Sequence, residues 1–107
     1  MLLPPIEEVV NTYSKLVEEK EDIDSANRFL ASVCAMAAYA SYAGALKPEE
    51  VSNYAEELRE KIVEGPEMLN PYVFGLLGDL IEDPTDLERI KERLIQIWSI
   101  DQLGLED

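Results

Sequence analysis

The chain has 107 residues, with 23 Asp and Glu against 9 Lys and Arg, a net charge of −14, one Cys, one Trp and no His. That length holds a single core, and a lone thiol excludes both a disulfide framework and a cysteine-built metal site within one chain. Without His the commonest general base is missing, as are all Ser–His and Cys–His nucleophile pairs, and a charge beyond the magnitude of about 2–8 usual for a small domain repels nucleic-acid phosphates and anionic membranes.

Met1-Leu2-Leu3-Pro4-Pro5 lacks the basic region and long apolar run of a secretory leader, and with the lone thiol this predicts a cytoplasmic chain. Pro5 suits the first turn of a helix, and Glu7 and Glu8 follow where the helix dipole favours acids. Ile6, Val9, Tyr13 and Leu16 recur at spacings of three and four, which predicts an amphipathic helix over about 5–20, ended by the acidic run Glu18–Asp24. Asp24 or Ser25 is expected to cap the next helix. From Ser25 to Leu46 the only charge is Arg28, so residues 25–45 sum to +1 while residues 1–24 sum to −5. The stretch is rich in Ala, which favours helix but is a weak membrane-insertion signal. It reads as a central helix with neighbours packed close against Ala37, Ala40 and Gly44.

Gly44–Lys47 reads as a turn, and Pro48-Glu49-Glu50 as the first turn of a third helix. Val51, Tyr54, Ala55, Leu58 and Ile62 mark its inner face as far as about Glu64, where Gly65-Pro66 stops it. Asn70 caps and Pro71 opens a fourth helix with Val73, Leu76, Leu77, Leu80 and Ile81 inside. Gly75 and Gly78 weaken it by about 1 kcal/mol each relative to Ala, which suggests close helix contacts there. After Asp83-Pro84, Thr85 and Glu88 have capping-box spacing, and Leu87, Ile90, Leu94 and Ile97 carry a fifth helix to about Ile100, with a short tail from about 101. The chain therefore reads as one all-α domain, 1–107, a compact bundle of about five helices around an Ala-rich centre.

Several constellations invite a chemical reading. Asp22-Ile23-Asp24 opens like a calcium-binding loop, but Ala26, Asn27 and Val33 occupy the fifth, sixth and twelfth positions, where an oxygen ligand, Gly and Glu are needed. A helix-turn-helix with Pro48–Glu64 as reader fails on its acids, since base readers carry Arg, Lys, Asn or Gln. Glu57-x-x-Glu60 and Asp79-x-x-Glu82 each put two carboxylates on one helix face. This arrangement resembles the magnesium site of MazG-type all-α nucleotide pyrophosphohydrolases, although the second pair departs from the family's Glu-then-Asp order. The resemblance covers only Glu57–Glu82 and implies a magnesium-dependent hydrolase as the alternative function. Acid pairs at the same spacing recur elsewhere, as at Glu18/Glu21 and Glu64/Glu67, so the pattern also reads as ordinary solvated helix faces. Arg89 and Arg93 share a face; Arg89 with Glu92 and Glu88 with Lys91 make intrahelical pairs the simpler expectation. Cys34 lies among apolar residues and reads as an inert core thiol.

Two stripes exceed what a core requires. Tyr39 and Tyr42 follow Arg28, Ser32 and Ala35 along the central helix. Ile95 and Trp98 lie beside the inner stripe of the last helix, and Leu103 and Leu105 extend it into the expected tail. Tyr and Trp suit interfaces, having a large apolar body and a polar tip. The resulting expectation is a non-enzymatic acidic protein with no catalytic residue, cofactor or metal. It acts as a small subunit or accessory factor of a larger, possibly nucleoprotein, assembly, or as a homo-oligomer. In size and helix content it resembles small helical subunits of nucleoprotein effectors. The expected contact residues are Ile95, Trp98, Leu103, Leu105, Tyr39 and Tyr42, and the expected partner is a protein with a basic surface or a second copy. Direct duplex binding and membranes are not expected. An acidic mimic occupying a nucleic-acid-binding groove is a further alternative.

Overall fold

Proline sets where the helices begin. The computed structural model describes residues 3–19, 23–63 and 71–106, with 63 and 99–106 by backbone alone. It contains α1 (Ile6–Glu18), α2 (Ile23–Tyr42), α3 (Pro48–Val63), α4 (Pro71–Glu82) and α5 (Leu87–Glu106), with no strand among the described residues. Pro5 precedes α1 and its carbonyl accepts from the amides of Glu8 and Val9 at 3.1 and 3.2 Å. Pro48 and Pro71 are the first residues of α3 and α4. The ring fixes φ near the helical value, and the missing N–H is one that a first turn cannot use.

The helix ends are held by local hydrogen bonds. At the end of α2, Gly44 adopts φ +82°, and the amides of Ala45 and Gly44 return to the carbonyls of Ala40 and Ser41 at 2.9 and 3.0 Å. This is the left-handed C-terminal turn that glycine supplies without steric penalty. At the start of α3 the Glu50 carboxylate accepts from the Lys47 amide at 3.1 Å. At the start of α5 the cap is Asp86, one residue later than the spacing predicts: its Oδ1 accepts from the Arg89 amide at 3.2 Å. Thr85 is diverted because its hydroxyl and amide both donate to Oδ1 of Asp83, at 2.5 and 3.1 Å. α2 begins at Ile23, so Asp24 lies inside its first turn. The expected break at Gly65-Pro66 and the cap at Asn70 lie outside the described residues. Where a tail is expected from about 101, α5 continues to Glu106, with no proline after Pro84 to interrupt it.

The low charge of α2 has a structural counterpart. α2 touches each of the other four helices. It buries Leu30, Val33, Cys34, Ala37 and Ala38 against Val9 and Tyr13 of α1, Val51 and Leu58 of α3, Leu76 and Leu77 of α4, and Ile90 of α5. Ala37 is buried as expected; Ala40 is half-buried and Gly44 is an exposed turn residue. Around α2 the outer helices touch in the order α1–α3–α4–α5, while α1 and α5 do not meet among the described residues. The ring around the central helix is therefore open on one side.

Polar ties cross the layers. The Tyr54 hydroxyl donates to the Pro4 carbonyl at 2.6 Å, and the Ser52 hydroxyl to the Leu80 carbonyl in the last turn of α4 at 3.1 Å. The Arg59 guanidinium sits 5.6 Å from the centre of the Phe74 ring, joining α3 to α4. No helix among the described residues is long and apolar enough to cross a membrane.

Candidate functional site

A groove lies on the open side of the ring. It is a cleft of about 430 Å³ between α2 and α5. Ala38 and Ile90 are its buried floor, Leu87 and Leu94 its half-buried flank, Tyr39 and Tyr42 its rim on α2, and Glu88 and Lys91 its rim on α5. A smaller hollow of about 220 Å³ adjoins it, sharing Tyr42 and Leu87 and bounded by Pro48 and Pro84. The end of α2 thus lies beside the start of α5. Tyr39 and Tyr42 are 64% and 73% exposed although they belong to the central helix. The reason is positional: Ser32, Met36, Tyr39 and Tyr42 follow one another at spacings of four and three, so they form one stripe, and among the described residues no outer helix covers it.

On α5, Ile95 and Trp98 follow Lys91 at spacings of four and three and continue the same rim, with 55% and 37% of their surface exposed. Ile97, their neighbour in sequence, is buried. Leu103 and Leu105 belong to the helical backbone of α5, and their side chains lie outside the described residues. The groove brings Tyr39 and Tyr42 to the face of α5 that leads to Ile95 and Trp98.

The carboxylates of the magnesium reading are differently placed. Glu57 and Glu60 are exposed on α3 and Glu82 is exposed on α4, whereas Asp79 is only 5% exposed. Asp79 is already neutralised: its Oδ1 pairs with Nε of Arg89 and its Oδ2 with Nε of Arg93, both at 3.1 Å. A Cβ added at Gly75 would stand 2.9 Å from Cζ and Nη1 of Arg93, so the glycine makes room for the guanidinium rather than for a helix backbone. Around Gly78 a Cβ would meet nothing within 4 Å, so no close contact explains that glycine. Among the described residues no group of three or more His, Cys, Asp or Glu side chains is placed to hold a metal ion. The arginines bridge α5 to α4, and the expected pairing of Arg89 with Glu92 gives way to this tie because a buried carboxylate needs its charge answered more than an exposed one does.

Comparison of the chain with protein-family models, with curated proteins and with solved structures gives no match. The residues of the chain therefore carry the functional argument themselves.

Cys34 is buried, and burial pushes its thiol up to about 12, which suppresses the nucleophilic thiolate. Sequence reasoning does not single out Leu87, Leu94, Glu88 and Lys91 as groove residues. Leu87 and Leu94 sit on the predicted core stripe, yet both are half-buried and line the groove. Met36 is likewise hidden in an apolar run, yet its 4- and 3-residue steps from Ser32 and to Tyr39 place it on the open stripe.

Proposed function

We propose that this protein is a non-enzymatic, cytoplasmic interaction module, a small subunit or accessory factor of a larger assembly, which binds another protein through the α2–α5 face. The observation that carries this reading is an apolar groove rimmed by Tyr39 and Tyr42, with Ile95 and Trp98 next in line after Lys91 of its other rim, all four more than a third exposed, on a molecule of net charge −14. Scattered exposed apolar residues are ordinary, but a contiguous patch around a groove marks an interaction site. Tyr and Trp are the side chains most enriched where interfaces concentrate their binding energy. The acid-rich remainder steers cationic surfaces toward the molecule and discourages phosphate polyanions.

The test is site-specific photo-crosslinking in the source cell. A photoreactive phenylalanine analogue replaces Tyr39, Trp98 or, as control, the exposed Asn53 of α3. A discrete adduct with another polypeptide at positions 39 and 98, absent at 53, is the expected result. Adducts at none of the three positions, or equally at all of them, overturn the reading.

A further inference from the structure

We infer that the α2–α5 groove seats a single α-helix of a partner chain, one that is amphipathic, with an apolar stripe and a polar face rich in Lys or Arg. This rests on the reading of the face as an interface and adds the chemistry of what occupies it.

The first argument is the incomplete ring. α1, α3, α4 and α5 surround α2 in that order, each touching the next, and the ring stays open between α5 and α1. The uncovered stripe of α2 runs from Ser32 through Met36 and Tyr39 to Tyr42, about three turns of helix. Every other side of α2 is covered by a helix, so the site offers the ridges and grooves that a helix surface fills. A helix also brings its backbone hydrogen bonds with it. An extended strand would find no ladder partner here, because the backbone groups of α2 and α5 are spent within their own helices.

The second argument is charge. The α2 side of the groove has no acid, since residues 25–45 contain one charge, Arg28. The charge lies outside the apolar floor: the α5 rim carries Glu88 with Lys91, Glu92 is exposed one turn on from Glu88, and the chain as a whole sums to −14. An apolar floor on a molecule of that net charge is complementary to an apolar stripe on an otherwise basic helix. Tyr39 and Tyr42 reinforce the match, since an Arg or Lys lying over an exposed tyrosine ring gains a cation–π contact. A second copy of this chain fits less well: it brings a further −14 to the contact, whereas a cationic helix is drawn in.

The experiment titrates the full chain with three synthetic peptides of about 18 residues, five helical turns. One has Leu at helical spacing and Lys elsewhere. The second has the same composition in an order that destroys the stripe, and the third replaces every Lys with Glu. Amide chemical shifts and Trp98 fluorescence report binding. The Leu/Lys helix is expected to bind one-to-one, to perturb Ala38, Tyr39, Leu87 and Leu94, and to bind at least about tenfold more tightly than the reordered peptide. The Leu/Glu peptide should not bind. A Tyr39→Ala/Tyr42→Ala double variant, altered only at exposed positions, should lose about tenfold of the affinity while keeping its melting temperature. Equal binding of the reordered peptide, shifts confined to the acids of α3, or unchanged affinity in the double variant each overturn the inference. If crosslinks form at positions 39 and 98 while the peptides behave in any of those ways, the face remains an interface and the basic helix is the wrong occupant. If crosslinks also fail, both statements fall.

Discussion

Nε of Arg93 donates to Oδ2 of Asp79 at 3.1 Å across the α4–α5 contact, in the space that glycine leaves at position 75. Two opposing effects meet at that glycine. Replacing it with Ala improves helix propensity by about 1 kcal/mol. The added methyl displaces the guanidinium from a charged hydrogen bond worth about 1.5–3 kcal/mol. Gly75→Ala should therefore lower stability by about 1 kcal/mol. In an Arg93→Ala background the same change should raise stability by about 1 kcal/mol, because only the propensity effect remains. Urea denaturation of the four proteins of this cycle measures both signs, and a gain in both backgrounds would show that the guanidinium does not occupy this space.

Asp79→Ala removes the acceptor from both arginines. Arg89 is 54% exposed and Arg93 28%, so each can turn to water, and the cost is less than for a fully buried pair. A loss of about 2 kcal/mol is expected, which for a domain of this size lowers the melting temperature by roughly 10 °C. Calorimetric titration of the unaltered protein with Mg²⁺ is the companion measurement. Asp79 is engaged and Glu57 and Glu60 are free on the surface, so weak, non-saturating heats are expected; a stoichiometric site abolished by Asp79→Asn would restore the hydrolase reading.

The two groups with raised pKa values, Cys34 and Tyr54, make the fold sensitive to alkali. Burial lifts Cys34 from 9.0 to about 12 and, with Cys34 and Glu57 adding to it, Tyr54 from 10.0 to about 12. Between the unfolded and folded values the native state binds more protons than the unfolded chain, so stability holds below about pH 9 and falls from there toward pH 12. Denaturant midpoints at pH 8 and pH 10.5 should differ in that sense, and Cys34→Ala should flatten part of the slope. At pH 8 the native thiol should resist alkylation and react once denaturant is added.

Asp83 titrates in the opposite direction. The Thr85 hydroxyl and amide hold its carboxyl below the usual carboxylate range of 3.8. A depressed folded value contributes stability above the unfolded pKa and loses it as pH falls through the folded one. Thr85→Ala leaves the amide but removes the hydroxyl, so the Asp83 midpoint should rise toward the ordinary value in a carbon-13 carboxyl titration. An unchanged midpoint would mean that the amide alone holds the carboxylate.

Much of this architecture is legible in the chain. Pro5, Pro48 and Pro71 mark three of the helix starts, the three-and-four spacing of Val9/Tyr13 and Val51/Ala55/Leu58 marks inner faces, and the near absence of charge in 25–45 marks the centre. These signals are local, or summed over one helix. What escapes depends on which distant helices meet. Arg89 has Glu92 at pairing distance in sequence, and nothing local says that Asp79, on another helix, competes for it. The cap moves from Thr85 to Asp86 because Asp83 captures the hydroxyl, a contest among neighbouring oxygens that spacing alone does not decide. The exposure of Tyr39 and Tyr42 is legible as a surplus stripe, but the groove needs the packing of α2 against α5, two helices far apart in the chain.

The open ring also leaves the helices at its two ends, α1 and α5, with only two helical neighbours each among the described residues. α5 is held by α2 and α4 and, within the described residues, makes no contact with α1 or α3. Its release exposes Ile90 and Ile97 and frees Asp79, yet leaves α1, α3 and α4 arranged around α2. The fifth helix is therefore expected to open as a unit, its amides exchanging with solvent at a lower free energy than those of the central helix. A ligand seated against both α2 and α5 raises that threshold by mass action, so occupancy of the groove is legible as slowed exchange along α5, even in turns the ligand does not reach.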